Sequence, residues 1–165
     1  MVIETDRLIL REYTLEDFND LYELLSDPIT MSHYPKPYDK EGTLRWINWC
    51  IDSYLKYGFG LWAIELKTGN VFIGDCGISM QNIDGEILPE IGYHINKKYW
   101  REGYAKEAAN AVKKWGFANT NYNTLYSYMT KDNIASYKTA EAIGMKKIKE
   151  YTDGMEELLV YSINR

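Results

Sequence analysis

The order of two hydrophobic periodicities most constrains the fold of this 165-residue chain. Alternating apolar runs predict about seven strands, and apolar residues spaced three or four apart predict four helices, in the order β-α-α-β-β-β-α-β-α-β-β. Short turns predict antiparallel hairpins, whereas the strand, helix, strand unit from Glu90 to Met129 favours a parallel pair if the two strands are neighbours. We therefore expect one α/β domain, residues 1–165, with a sheet of mixed direction.

Signals at the ends of these segments define their limits. Thr14 precedes the first helix and Pro28 follows it, while Gly58 and Gly144 end the second and fourth helices. The stretch "QNIDGEILP", residues 81–89, is expected to be a turn region between the third and fourth strands. A row of apolar residues on the third helix shares the face expected to lie on the sheet: Ala105, Ala108, Ala109, Val112 and Trp115.

The composition disfavours several classes of function. A net charge of −5 disfavours nucleic-acid binding, which needs a basic face. The start "MVIETDRLILREY" is too polar for a signal peptide, and no apolar stretch is long enough to span a bilayer, so we expect a cytoplasmic protein without a membrane partner. Cys50 and Cys76 lie in apolar segments, as expected of core residues. The two histidines, His33 and His94, are too few for a zinc site, so no metal is expected.

The segment "NKKYWREGYAKEAANAVKKWGF", residues 96–117, opens as a polar loop and continues as a helix with Gly103 at its mouth. The first N–H groups of a helix lack partners and carry partial positive charge, so a glycine here can admit an anion such as a phosphate. The alternative is a glycine that only begins the helix. The lysine of a P-loop and the dinucleotide motif are both absent, so a bound phosphate would be held by the backbone.

Three stretches, in order along the chain, resemble the GNAT superfamily of acyl-CoA-dependent N-acetyltransferases and, within it, the ribosomal-protein N-terminal acetyltransferase-like (Rim-type) branch. They are "ETDRLILREYTLEDFNDLYELLSDP", "EIGYHINKKYWREGYAKEA" and "NIASYKTAEAIGM". The resemblance covers essentially the whole chain. It implies a single GNAT-like domain with a mixed, mostly antiparallel sheet, and acetyl-CoA as co-substrate.

The resemblance also implies which residues bind the cofactor. The loop and first helical turn would cradle the pyrophosphate through the backbone of Arg101, Glu102, Gly103, Tyr104, Ala105 and Lys106. An N–H near His94 would polarise the acetyl carbonyl, and main-chain groups of Ile95 and Asn96 would pair with the pantetheine amides. The chain departs from the family at Trp100, where Gln or Arg is common, and at the acidic Glu102, whose side chain must turn outward.

Glu90 is the candidate general base. Acetyl transfer to an amine needs a neutral amine, and several superfamily members carry a carboxylate at this place on the strand "EIGYHI". Alternation puts Glu90, Gly92 and His94 on one face of that strand. An exposed glutamate at the end of a strand is an equally good interpretation of Glu90. His94 is either a proton relay or a histidine whose hydrogen bonds are satisfied within the sheet.

Ser136 is the candidate partner of the departing thiolate. Many superfamily members use a tyrosine seven residues after the asparagine of the second motif, but here that position is Ala140. The Rim-type branch commonly carries a serine three residues after that asparagine, which corresponds to Ser136 and could hydrogen-bond the thiolate. Asn133 would cap the helix and contact the cofactor, and Tyr137 is a second candidate acid.

The expected acceptor is a primary amine. The Rim-type resemblance favours a ribosomal-protein N-terminus, and a small amine metabolite is the alternative. The loop from Met31 to Asp39, together with Trp46 and Trp49, offers aromatic and polar surface beside the first two helices for its entry. Two alternative functions are a GNAT-like acyl-CoA sensor without catalysis and a domain that binds only a surface anion. We expect the protein to be a monomer or a homodimer.

Overall fold

A computed structural model describes residues 2–165. It has eight strands and four helices among these residues, so the predicted order is confirmed, with one short strand added at the start. The helices are α1 (Phe18–Ser26), α2 (Lys40–Tyr57), α3 (Tyr104–Asn119) and α4 (Ile134–Ala142). The strands are β1 (Ile3–Glu4), β2 (Leu8–Arg11), β3 (Leu61–Leu66), β4 (Val71–Ile83), β5 (Glu86–Ile95), β6 (Thr124–Thr130), β7 (Lys146–Asp153) and β8 (Glu156–Asn164).

All eight strands form one sheet in the order β1-β2-β3-β4-β5-β6-β8-β7. Every neighbouring pair is antiparallel except β5 and β6, which are parallel and connected through α3. The predicted mixed, mostly antiparallel sheet is confirmed, and the parallel pair lies in its interior, with four strands on one side and two on the other.

The connection between β4 and β5 is much shorter than the sequence suggested. Residues 81–89 were expected to be a turn region, but Gln81 pairs with Leu88 and Ile83 with Glu86, leaving only Asp84 and Gly85 in the turn. Both turn residues have positive φ, 51° and 85°. Asp-Gly favours this two-residue hairpin turn, whose twist matches that of the flanking strands. The result is a long hairpin that carries Glu90 in the middle of the sheet.

Each face of the sheet packs against its own pair of helices. One core joins α1 and α2 to the sheet through Leu21, Leu24, Ile47, Cys50 and Leu61, all buried. The larger core lies beneath α3 and α4 and includes Cys76. The small residues Ala108 and Ala109 of α3 are fully buried there, as predicted, and Gly116 lies so close to the sheet that a Cβ would come within 2.6 Å of Ile78 Cδ1. Both cysteines are therefore core residues.

Two further observations concern residues 2–165. None of the helices in this part of the chain is long and apolar enough to cross a membrane. Within the same range, no cluster of three or more His, Cys, Asp or Glu side chains is arranged to hold a metal ion.

Candidate active site

A cleft of about 1060 Å³ opens where β5 and β6 separate. The two strands pair at Glu90 and Tyr126, and the Ser127 hydroxyl donates to the Ile91 carbonyl at 3.1 Å. Beyond these contacts no ladder pairing joins the strands within the described chain. Ten of the predicted site residues line the cleft: Glu90, His94, Ile95, Arg101, Gly103, Tyr104, Ala105, Lys106, Asn133 and Ser136. Asn96 and Glu102 do not.

The loop before α3 presents a row of unpaired backbone donors. Within residues 2–165, no carbonyl or side chain accepts the N–H groups of residues 101–106. Arg101 and Gly103 both have left-handed φ, 66° and 79°. A Cβ on Gly103 would approach nothing closer than Arg7 Nη2 at 3.6 Å, so glycine is needed here for its backbone conformation more than for space. Converging free donors at a helix N-terminus fit a pyrophosphate.

Arg7 holds this loop in place, and sequence reasoning missed it. Its Nη1 donates to the Glu102 carbonyl at 2.9 Å, its Nε forms a 2.6 Å ion pair with Glu107 of α3, and its guanidinium lies 4.3 Å from the Tyr104 ring centroid. Glu102 is exposed and outside the cleft lining, as its acidic side chain requires. The contacts of Arg7 span about a hundred residues of sequence, and no local sequence pattern predicts them.

The backbone of β5 determines which of its polar groups face the cleft. The Asn96 N–H donates to Ile73 of β4, so by alternation the N–H of His94 also points to β4, whereas those of Tyr93 and Ile95 point into the cleft. The Ile95 carbonyl accepts the Trp100 indole N–H at 2.7 Å. The backbone donors free for a ligand are therefore those of Tyr93 and Ile95.

Glu90 is a buried carboxyl group on the α1–α2 side of the cleft. It is 8% exposed, and burial raises its pKa from 4.5 to about 7, against the opposing effects of His94 and of the Ser79 hydroxyl at 3.5 Å. Gly92 leaves space for it, because a Cβ there would lie 3.0 Å from Glu90 Oε2. The exposed strand-end alternative is thus excluded, and a carboxyl group with a pKa near neutrality is suited to accept a proton.

His94 lies on the same face of β5 and is enclosed by polar and aromatic groups. Its Nδ1 is 2.6 Å from Asp75 Oδ1, and its Nε2 shares a hydrogen bond with the Tyr34 hydroxyl. The ring of Trp46 packs edge-on at 5.2 Å between centroids. Burial alone would lower the pKa of His94, but the carboxylates of Asp75 and Glu90 outweigh it, and the net pKa is raised.

Ser136 lies across the cleft, near the start of α4. Asn133 caps that helix by accepting the Ser136 N–H at 3.2 Å, as the sequence predicted. The Ser136 hydroxyl is 3.3 Å from the Tyr93 hydroxyl, which itself donates to the Ser136 carbonyl at 2.6 Å. Tyr93 was not singled out from the sequence; it lies on the face of β5 opposite Glu90. Tyr137 lies outside the cleft lining with its ring stacked on Tyr161, and Ala140 is fully buried.

Aromatic side chains form the wall of the cleft beneath α2 and the loop after α1. The ring of Tyr38 packs edge-on against those of Tyr34 and Trp46, at 6.3 and 5.4 Å between centroids, and Trp46 contacts Trp49 at 6.1 Å. All four side chains line the cleft on the side of Glu90. This wall coincides with the acceptor entrance expected from the sequence.

Fold and cleft together define an α/β acyltransferase-like domain with a loop of free backbone N–H groups beside a buried carboxyl group. The model of the acetyltransferase (GNAT) domain family matches residues 7–146, and the chain belongs to this family. The uncharacterized protein YkkB of Bacillus subtilis is 36% identical over 158 residues, covering 95% of this chain and 92% of that protein. The uncharacterized N-acetyltransferase YnaD of the same organism is 31% identical, with 89% and 84% covered.

Solved structures agree with this assignment. An acetyltransferase from Agrobacterium tumefaciens is 28% identical and superposes with a TM-score of 0.85 over 99% of this chain and 94% of its own. At the level of fold alone, similar structures include a ribosomal-protein-S5-alanine acetyltransferase from Vibrio fischeri (17% identity, TM-score 0.79, 99% and 96% covered). Another is a spermidine N-acetyltransferase from Vibrio cholerae in complex with CoA and spermine (16%, 0.77, 97% and 96%).

Proposed function

We propose that this protein transfers the acetyl group of acetyl-CoA to a primary amine by direct attack in a ternary complex. The observation that carries the proposal is the cleft between β5 and β6, which places the free N–H groups before α3 and the buried Glu90 in one cavity. One group is suited to a pyrophosphate and the other to an amine proton.

Each part of the cofactor has a candidate partner on this chain. The N–H groups of residues 101–106 would hold the pyrophosphate, with Arg7 keeping the loop in its conformation. The N–H groups of Tyr93 and Ile95 would bind the pantetheine arm and the acetyl carbonyl, in place of the His94 and Asn96 groups that face β4. Acetyl-CoA supplies a thioester whose acyl carbon an amine can attack.

The two faces of the cleft would divide the proton chemistry. Glu90, with its pKa near 7, accepts a proton from the amine on the α2 side. On the α4 side, the Ser136 hydroxyl stabilises the thiolate as charge develops, and Tyr93 orients that hydroxyl. Many superfamily members carry a tyrosine at the position that Ala140 occupies here. Ser136 would take over the role of that tyrosine.

The acceptor is proposed to be an amine that enters along the aromatic wall of Tyr34, Tyr38, Trp46 and Trp49. Cationic groups are attracted to aromatic faces and to the carboxylate below them. The Rim-type resemblance favours a peptide N-terminus, such as that of a ribosomal protein, and the likeness to a spermidine N-acetyltransferase fold makes a polyamine the alternative.

Binding of coenzyme A by the loop is tested with two alanine variants. Gly103→Ala and Gly85→Ala each place a side chain at a similar positive φ, 79° and 85°, and so impose comparable backbone strain. Only Gly103 lies at the phosphate loop, so its variant is expected to bind CoA at least tenfold more weakly by titration calorimetry. The Gly85 variant is expected to match the wild type. Equal affinities for all three proteins would contradict the phosphate-loop assignment.

A further inference from the structure

A hydrogen-bonded chain of four side chains runs from the acceptor side of the cleft into the interior. The Tyr34 hydroxyl bonds His94 Nε2, His94 Nδ1 bonds Asp75 Oδ1, and the Tyr13 hydroxyl donates to Asp75 Oδ2 at 2.9 Å. Asp75 is fully buried, whereas the His94 side chain keeps 14% exposure. Four separate segments supply these residues, so the chain exists only in the folded protein.

The bonds around Asp75 give the chain a direction. A carboxylate can only accept, so His94 Nδ1 carries a proton toward Asp75 while Tyr13 donates to the other oxygen. The remaining ring nitrogen, Nε2, is then free to accept the Tyr34 proton. Protonation of His94 would place an imidazolium directly against a buried carboxylate, an arrangement that stabilises the added charge.

The reaction under the proposed function requires more proton acceptors than Glu90 alone. An amine whose pKa lies above 7 arrives as an ammonium ion with three N–H bonds, and the amide product of a primary amine keeps one. Two protons therefore leave nitrogen. One of them ends on the thiol of the product CoA, and the other must leave the site.

We propose that Tyr34, His94 and Asp75 form a relay that removes one proton of the acceptor ammonium. The inference rests on the proposed function. The N–H bond breaks as a bond forms to the Tyr34 oxygen, the Tyr34 proton moves to His94 Nε2, and the imidazolium pairs with Asp75. After the product has left, the proton on Nε2 returns through the Tyr34 hydroxyl to water in the cleft, which resets the relay. Tyr34 is the catalytic residue in contact with the amine; His94 and Asp75 are positioning residues behind it.

The placement of Tyr34 supports this role. Its side chain lines the same cleft as Glu90 and His94, and its pKa is raised by burial and, next, by the charges of Glu90 and Asp75. A phenol with a raised pKa does not remain ionised, so it passes a proton on and stays neutral. The titratable groups that face His94 are Asp75 from β4, Glu90 from its own strand and Tyr34 from the loop after α1.

The kinetic test compares two phenylalanine variants. Tyr34→Phe keeps the ring contacts with Tyr38 and His94 but removes the relay hydroxyl. Tyr22→Phe removes a hydroxyl on α1, from a ring that stacks on Phe18 and does not line the cleft. Tyr34→Phe is expected to lower kcat tenfold to a hundredfold with an unchanged KM for acetyl-CoA, and to lose part of the pH dependence of kcat. Tyr22→Phe is expected to retain the wild-type kcat.

A second arm measures the ionisation of His94 without turnover. Because the chain has two histidines, NMR titration resolves His94 beside His33. Asp75→Asn is expected to lower the His94 pKa, since burial then prevails. In an active enzyme, a wild-type kcat and pH profile for Tyr34→Phe, or an unmoved His94 pKa in Asp75→Asn, would overturn the relay alone. A wild type without amine-dependent thiol release would overturn the proposed function, and the relay with it.

Discussion

At the scale of single residues, the cleft contains the carboxyl group of Glu90, whose charged form is less stable in the folded protein than in water. Burial removes water from Glu90 and raises its pKa to about 7, while the Ser79 hydroxyl lies 3.5 Å away. Below pH 4.5 it is protonated in both the folded and the unfolded chain. Between pH 4.5 and 7 only the unfolded chain releases the proton, so stability falls as the pH rises and then levels off.

Substitution of Glu90 by glutamine removes this penalty. A pKa raised from 4.5 to about 7 corresponds to a cost on the order of 3 kcal/mol when the group is ionised. The gain of Glu90→Gln in free energy of unfolding over the wild type is therefore expected to grow by about 2–3 kcal/mol between pH 5 and pH 8, measured by urea denaturation. The variant is also expected to lower turnover and to lose the contribution of Glu90 to the pH–rate profile, with near-normal CoA affinity.

Glu86 supplies the matched control for this experiment, because it is an exposed glutamate on the same strand. Glu86→Gln is expected to leave the pH dependence of stability as it is in the wild type. A gain for Glu90→Gln that does not change between pH 5 and pH 8 would show that Glu90 is not held with a raised pKa.

Residues of the site differ in how far the sequence reveals them. Alternation along β5 places Glu90 and His94 on one face, and the structure agrees, because one strand carries both. Tyr34, Asp75 and Arg7 reach the site from other elements, 60, 19 and 95 positions from the groups they contact. Such long-range contacts depend on tertiary packing and leave no periodic signal in the chain.

At the scale of elements, the start of α4 is attached to β5 through paired hydroxyl groups. Tyr93 donates to the Ser136 carbonyl, and the Ser136 hydroxyl lies 3.3 Å from the Tyr93 oxygen. The bond therefore spans the gap where β5 and β6 separate. The cap by Asn133, which the sequence predicted, fixes the first turn of α4 and hence the position of the serine.

Ser136→Ala is expected to reduce kcat roughly tenfold while changing the affinity for acetyl-CoA by less than twofold, since a hydroxyl that meets developing charge acts on the transition state. Steady-state kinetics and calorimetry give the two quantities. Thr139→Ala, on the same helix and bonded only to Ala135 of its own turn, is the control and should behave as the wild type. Equal losses of turnover and affinity in Ser136→Ala would assign the serine to cofactor positioning instead.

The elements also show where local pattern is sufficient. The four helices were predicted because their apolar spacing and end signals agree, as at Gly58, which ends α2 with a φ of 76°. The hairpin of β4 and β5 was underestimated because polar residues interrupt alternation near the Asp84–Gly85 turn, although the ladder continues to Ile83 and Glu86. Backbone hydrogen bonds hold the ends of β4 and β5 together, and the pattern of side chains does not predict such bonds.

At the scale of the whole molecule, the site exists because one sheet is covered on both faces by different helices. The core beneath α1 and α2 supports the side of Glu90 and the aromatic wall, and the core beneath α3 and α4 supports the loop before α3 and Ser136. The cleft joins the two sides where the parallel strands separate after Glu90. An amine and an acyl carrier could thus approach the same point from opposite faces.

The most direct test of this account is thiol release from acetyl-CoA by the wild-type protein, measured across N-terminal peptides, polyamines, amino acids and aminoglycosides. We predict release that depends on a primary amine and equals the amount of acetylated product. Release confined to hydroxyl acceptors would contradict the amine assignment. Tight binding of acetyl-CoA without release by any acceptor would contradict catalysis and identify the domain as an acyl-CoA sensor.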